Sequence, residues 1–153
     1  LIKKHSVSLN AQSSQFRDKN RLAHDLDTLT VGFSSSWKLP RKWGAPFGVT
    51  QSTTKDKNDG SKRSSQSVGP GLSVPLRANL AGQFWGTYTA TKNTSTLLPA
   101  DTSMMSVNSE YAWSCSKQVN VTFGVGANIS KDKVVSANRY KELTASLRYS
   151  YTF

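Results

Sequence analysis

The chain has 153 residues, enough for one domain, with a formal charge of +11 and a pI of about 10.0. Only 36% of its residues are apolar, thin for a soluble α/β core, and the absence of any run of about 18 apolar residues excludes a transmembrane helix. Such a charge calls for an anionic neighbour, whether nucleic acid, phospholipid or lipopolysaccharide.

Residues 1–20 hold no apolar stretch of signal-peptide type. With a start at Leu1, a processed product or a fragment is expected. Eight segments then alternate with period two, the pattern of a strand with one apolar and one polar side. In the first, Val7, Leu9 and Ala11 alternate with Ser6, Ser8, Asn10 and Gln12. The second sets Leu29, Val31, Phe33 and Trp37 against Thr28, Thr30, Ser34 and Ser36. A third, residues 43–52, carries Pro46, and a fourth, residues 66–76, carries Gly69-Pro70-Gly71. Proline removes a ladder donor, so a bulge is expected at Pro70.

The fifth segment sets Leu80, Gly82, Phe84, Gly86, Tyr88 and Ala90 against Asn79, Gln83, Thr87 and Thr89, with Trp85 the one large residue on the polar side. In the sixth, Met105, Val107, Tyr111 and Trp113 alternate with Ser106, Asn108, Glu110 and Ser114. The seventh, residues 118–130, is the cleanest: Val119, Val121, Phe123, Val125, Ala127 and Ile129 against Asn, Thr, Gly and Ser. The eighth puts Leu143, Ala145, Leu147, Tyr149, Tyr151 and Phe153 on one side, and Thr144, Ser146, Arg148, Ser150 and Thr152 on the other.

Links between these strands are expected to alternate in length. Those at 16–25, 53–64, 92–101 and 131–141 are long and charged, while those at 38–42, 75–77 and 116–117 are short. Long loops at one end and tight turns at the other are the pattern of a transmembrane barrel. Trp37, Trp43, Trp113, Tyr149 and Tyr151 all fall in the apolar register near the short-turn end, where amphipathic rings would form a membrane-interface girdle. Tyr88 is the candidate for the opposite interface.

The terminal strand, with Leu147, Tyr149, Tyr151 and Phe153 at every second position and an aromatic last residue, resembles the C-terminal insertion strand of bacterial outer-membrane β-barrel proteins. Ser146 stands near the place where that family often has Gly. The resemblance implies an all-β, antiparallel, up-and-down transmembrane barrel in the bacterial outer membrane, inserted by the barrel assembly machinery. The whole chain, 1–153, would be one domain or the C-terminal part of a larger barrel. It also implies a pore or conduit passing solute or polypeptide, in the manner of a porin.

The polar register then becomes a lumen wall whose larger members are Lys38, Gln83, Trp85, Glu110 and Arg148, and in a closed eight-stranded barrel Glu110 and Arg148 could pair across the lumen. An eight-stranded barrel needs bulky side chains to fill its interior. Here most of the wall is Ser, Thr, Gly and Asn, so a wider barrel is expected, completed by further strands or chains and open or filled by a plug protein. The basic loop residues Arg17, Lys19, Arg21, Lys55, Lys57, Lys62, Arg63, Lys131, Lys133, Arg139 and Lys141 are candidate contacts for lipopolysaccharide phosphates.

Two competing classes are a small structural barrel whose basic loops bind lipopolysaccharide or a surface partner, and a soluble ligand-binding barrel. Residues 83–90 resemble a strand of the avidins, and in avidins or lipocalins the apolar register would face inward. Nucleic-acid binding is not expected, because the aromatics are not interleaved with the basic residues. No enzyme activity, metal or other cofactor is expected either. His5 and His24 lack partners at ligand spacing, and no hydroxyl nucleophile is accompanied by a placed base. Asp56-Lys-Asn-Asp-Gly60 lacks the closing Glu of a calcium loop and reads as a tight turn.

Overall fold

The alternation resolves into eight strands: β1 (Lys4–Phe16), β2 (Leu26–Lys38), β3 (Gly44–Asp56), β4 (Lys62–Arg77), β5 (Leu80–Asn93), β6 (Ala100–Ser114), β7 (Val119–Asp132) and β8 (Tyr140–Tyr151). This computed structural model describes residues 4–17, 25–95, 99–116, 118–135 and 139–152. Each strand pairs antiparallel with the next, in the order β1 to β8 within one sheet. The up-and-down topology is thus as expected.

The sheet is open: β1 and β8 each have a single neighbour. The composition of the polar side gives the reason: closing on eight strands brings the walls so near that side chains must fill the interior, and small polar residues cannot.

Three local expectations change. The ladder runs further into the charged segments than the apolar pattern does, since backbone pairing continues where apolar side chains stop. Lys55 pairs with Lys62, and the link there shrinks to residues 57–61. The length contrast between the two ends is therefore weaker than the sequence suggests. Residues 75–77 are not a turn but the end of β4, and the reversal falls at residues 78–79. The bulge sits there too, between Pro75 and Arg77, rather than at Pro70. Pairing keeps the same register on both sides of Pro70, so the missing N–H leaves a gap in the ladder without an inserted residue.

Turn chemistry accounts for two links. Asp56 and Asp59 side chains accept from the backbone N–H of Asn58 (2.8 Å) and Ser61 (2.7 Å), and Gly60 supplies the left-handed residue at φ 73°. The tight-turn reading of this segment holds. The link after β2 holds a 3₁₀ turn, Pro40–Lys42, whose Arg41 and Lys42 both have positive φ, 59° and 62°. Left-handed backbone costs an L-residue with a side chain roughly 1–2 kcal/mol.

Among the described residues, no second layer covers this sheet. Val74 is the one buried hydrophobic among the described residues, whereas Leu9, Leu143 and Leu147 are at least 75% exposed. Accessible surface totals 11507 Å² for a chain of 16.8 kDa. A globular monomer of that mass exposes roughly 7,600 Å².

Candidate functional site

Pairing sorts the side chains onto two faces, because directly opposed residues in a ladder share a side. One face is mostly polar. Gln12, Thr30, Ser52, Ser65, Thr91 and Thr102 form one continuous row across β1 to β6. Neighbouring hydroxyls meet along it and the rows beside it: Thr30–Ser52 and Thr28–Thr54 at 3.0 Å, Ser65–Thr91 at 3.2 Å. Such a surface can hydrogen-bond water or a polar solute in many equivalent ways and holds none in a single geometry.

This face is also the crowded one. Gly32, Gly44, Gly48, Gly69, Gly71, Gly124 and Gly126 all lie on it, by their pairing with Asn10, Lys38, Ser34, Gly48, Trp85, Glu110 and Asn108 respectively. A Cβ at Gly124 would stand 2.7 Å from Ser146 Oγ, and one at Gly126 would stand 2.8 Å from Thr144 Oγ1 and closer still to the Asn108 carboxamide. Over this glycine floor stands Trp85, opposite Gly71 and Asn108 and 39% exposed. Trp85, Asn108, Glu110, Thr144 and Ser146 line a shallow groove of about 110 Å³.

Lys38, Gln83, Trp85, Glu110 and Arg148 all lie on the polar face. Glu110 and Arg148 do not pair. They project from the same side of the sheet with β7 between them, Glu110 opposite Gly124 and Arg148 opposite Thr122. Expecting them to meet across a lumen assumed a tight closed barrel, and the open sheet sets them side by side.

The other face is apolar and uncovered. Leu9, Phe33, Val49, Val68, Tyr88, Met105 and Ile129 form one row from β1 to β7. Pro70, Leu72, Phe84, Val107, Val125 and Ala127 surround a depression of about 500 Å³ centred on Gly86. Beside it Phe84 and Tyr111 meet edge to face at 5.7 Å.

The apolar stretch shifts steadily from strand to strand. In β2 it runs from Leu29 to Trp37 and is centred on Phe33; in β8 it runs from Leu143 to Tyr151 and is centred on Leu147. Yet the row through Phe33 meets β8 at Lys141, six residues short of Leu147. Six residues over six pairings, at roughly 3.3 Å per residue and 4.8 Å per strand, tilt the band about 35° from the hydrogen-bonding direction.

On that slant the aromatics fall into line. Trp37, Trp113 and Tyr151 each lie four residues from the middle of their own apolar stretch, toward the short-turn end, and Tyr149 lies two. Trp43 stands just before β3, in the same direction. Tyr88 lies on the opposite side of the band.

At the other end the basic residues are not alone. Asp27 holds Arg17 and Lys57 together, the latter at 3.1 Å, and Asp101 binds Lys133 at 3.3 Å. Hydrogen bonds from Arg17 first, and then Lys57, hold the Asp27 carboxyl below its ordinary pKa. Lys55, Lys62, Arg63, Lys131, Arg139 and Lys141 lie at this end with Asp25, Asp56, Asp59, Asp132 and Glu142. The sequence reading weighed only the cations; the carboxylates lie in the same segments and become their neighbours once the hairpins form. Lys19, Arg21, His24 and Phe153 lie outside the described residues.

Sequence reasoning also missed a basic rim at the short-turn end. Lys4, Lys38, Arg41 and Lys42, with Trp43, Ser36 and Ser73, line a pocket of about 750 Å³. Only Lys38 stood out by strand register; the available signal for Arg41 and Lys42 was the Lys-Leu-Pro-Arg-Lys run of a short link. No protein-family model matches this chain, and no curated protein or solved structure matches it significantly.

Proposed function

We propose that this chain is a section of the wall of a bacterial outer-membrane β-barrel, wider than eight strands, whose polar lumen passes solute or polypeptide. The observation that carries the reading is the pairing of one uncovered apolar face with one polar face of small residues, across all eight strands. Water is a poor solvent for the first face and a good one for the second.

The dimensions support it. Leu29 to Trp37 of β2 covers eight residue steps, roughly 26 Å along the strand and about 22 Å once tilted by about 35°. An outer-membrane apolar band is about 25 Å tall, with strands tilted about 35–45° and aromatic girdles at its edges. Every strand exceeds the roughly 9–11 residues needed to cross; the shortest, β8, has 12.

The two free edges support a wider ring. With Leu9 set opposite Leu147, β1 and β8 match antiparallel from end to end, apolar against apolar and polar against polar, with Phe16 opposite Tyr140. Two such sheets would supply sixteen strands, the number at which barrels leave an aqueous channel.

Single-channel recording from the full chain in planar bilayers tests the function. Stepwise conductance is expected, rising when Trp85→Ala removes the bulky ring midway along β5 on the polar face. Absence of conductance from protein shown to be inserted would count against a conduit.

A further inference from the structure

We infer that the short-turn rim of the polar face binds phosphate- or carboxylate-bearing solutes and makes the conduit selective for anions. This rests on the conduit reading above and specifies what passes. Lys4 and Lys38 stand directly opposite each other in the β1–β2 ladder, on the polar face. Like charges so placed repel, and a bound anion between them would turn that repulsion into attraction. Arg41 and Lys42 follow in the connecting turn, both held in the left-handed conformation at positions where Asn and Gly are the ordinary occupants. Backbone strain of this kind persists where the surroundings hold it, and here it presents two more cations to the same pocket.

Among the described residues, no carboxylate forms an ion pair with any of these four cations. On this face the nearest carboxylate along the ladder is Glu110, in the row of Lys38 but four strands away, roughly 19 Å at the usual strand spacing. That exceeds the screening length of about 8 Å at physiological ionic strength. The opposite end differs: carboxylates lie among its cations, and three of those cations, Arg17, Lys57 and Lys133, are each held by an aspartate. Charge of one sign at one mouth focuses counter-ions there, and rings of Arg and Lys are the usual device of anion and phosphate pores. The pocket volume of about 750 Å³ suits a small organic anion, and the Arg41 guanidinium supplies a planar fork for two oxygens.

The test uses the full chain in planar bilayers of zwitterionic phosphatidylcholine, so that no lipid anion occupies the rim. Under a KCl gradient the reversal potential is expected to report chloride as the more permeant ion, and tripolyphosphate added at the short-turn side should block the current. Lys38→Glu with Arg41→Glu should invert the selectivity and abolish the block. Lys42→Gln, a milder change in an exposed turn, should weaken the block about tenfold. A channel that conducts without chloride preference, indifferent to tripolyphosphate and to these substitutions, overturns the inference and leaves the conduit standing. A chain that inserts without conducting overturns both.

Discussion

Asn108 and Gly126 face each other across the β6–β7 ladder, and the Asn108 carboxamide occupies the space that a side chain at residue 126 would take. Thr144 closes the same space from β8, with its Oγ1 2.8 Å from where that Cβ would stand. Gly126→Ala should therefore destabilise the folded sheet by about 1 kcal/mol, and Asn108→Ala should recover most of the loss. A double-mutant cycle in denaturant, giving a coupling of at least about 0.5 kcal/mol, checks the contact. Additive effects would mean that the carboxamide moves aside freely.

Val125 lies near the middle of the apolar stretch of β7, and Asn128 on the opposite face. Val125→Arg should cost roughly 2–4 kcal/mol of folding stability in lipid vesicles, the penalty of a cation at the bilayer midplane. Asn128→Arg, on the polar face, should cost little. Equal penalties for the two would show that the faces are not distinguished by the bilayer.

Asp27 ties the end of β2 to Arg17 and Lys57. A carboxyl whose folded pKa is lowered contributes stability that is fully present above its unfolded value of about 3.9 and is lost as pH falls through the folded value. No change from this group is expected between neutral pH and about 5, and loosening of the β1–β2 end below about 4. The group is exposed, so the loss is small. A carboxyl NMR titration should find the Asp27 midpoint raised by Arg17→Gln, and raised less by Lys57→Gln. An unchanged midpoint in both would mean that neither cation holds it.

The free edges give a direct test of ring closure. In a Cys115→Ser background, a chain carrying Leu9→Cys mixed with a chain carrying Leu147→Cys should crosslink on oxidation to a dimer. Opposed pairs alternate between hydrogen-bonded and non-hydrogen-bonded geometry, so Asn10→Cys with Ser146→Cys serves as the second pair. Crosslinking only within a doubly substituted chain would mean closure on eight strands. Dimers formed preferentially by Ala11→Cys with Leu147→Cys would mean a register shifted by two residues.

Much of the fold was legible from the residues. Alternation located all eight strands because each side chain of a single-layered sheet points to one of two faces, so the pattern is not blurred by packing against a second layer. The polar positions Gln83, Trp85, Glu110 and Arg148 followed from the same parity. Strand ends did not, since the ladder continues through Lys55 and Lys62 after the apolar pattern has stopped. The reversal at residues 78–79 was hidden by Pro75, which resembles a turn residue but ends a strand. The slant of the band was invisible for a different reason: it depends on which residue of one strand faces which residue of the next, and alternation fixes that only to within an even number. The rim at Lys4, Arg41 and Lys42 escaped because a cation in a short turn has no parity to betray its side.

The membrane-spanning wall is tested most directly by a spin-label scan of β7, one label at a time from Val119 to Ser130, in the chain reconstituted into liposomes. Collision with oxygen, which concentrates in lipid, should peak at Val121, Phe123, Val125, Ala127 and Ile129. Collision with a water-soluble nickel chelate should peak at Asn120, Thr122, Gly124, Gly126 and Asn128. The opposite phase, with the polar positions in lipid, would contradict the proposed wall, and so would a scan in which all positions report water.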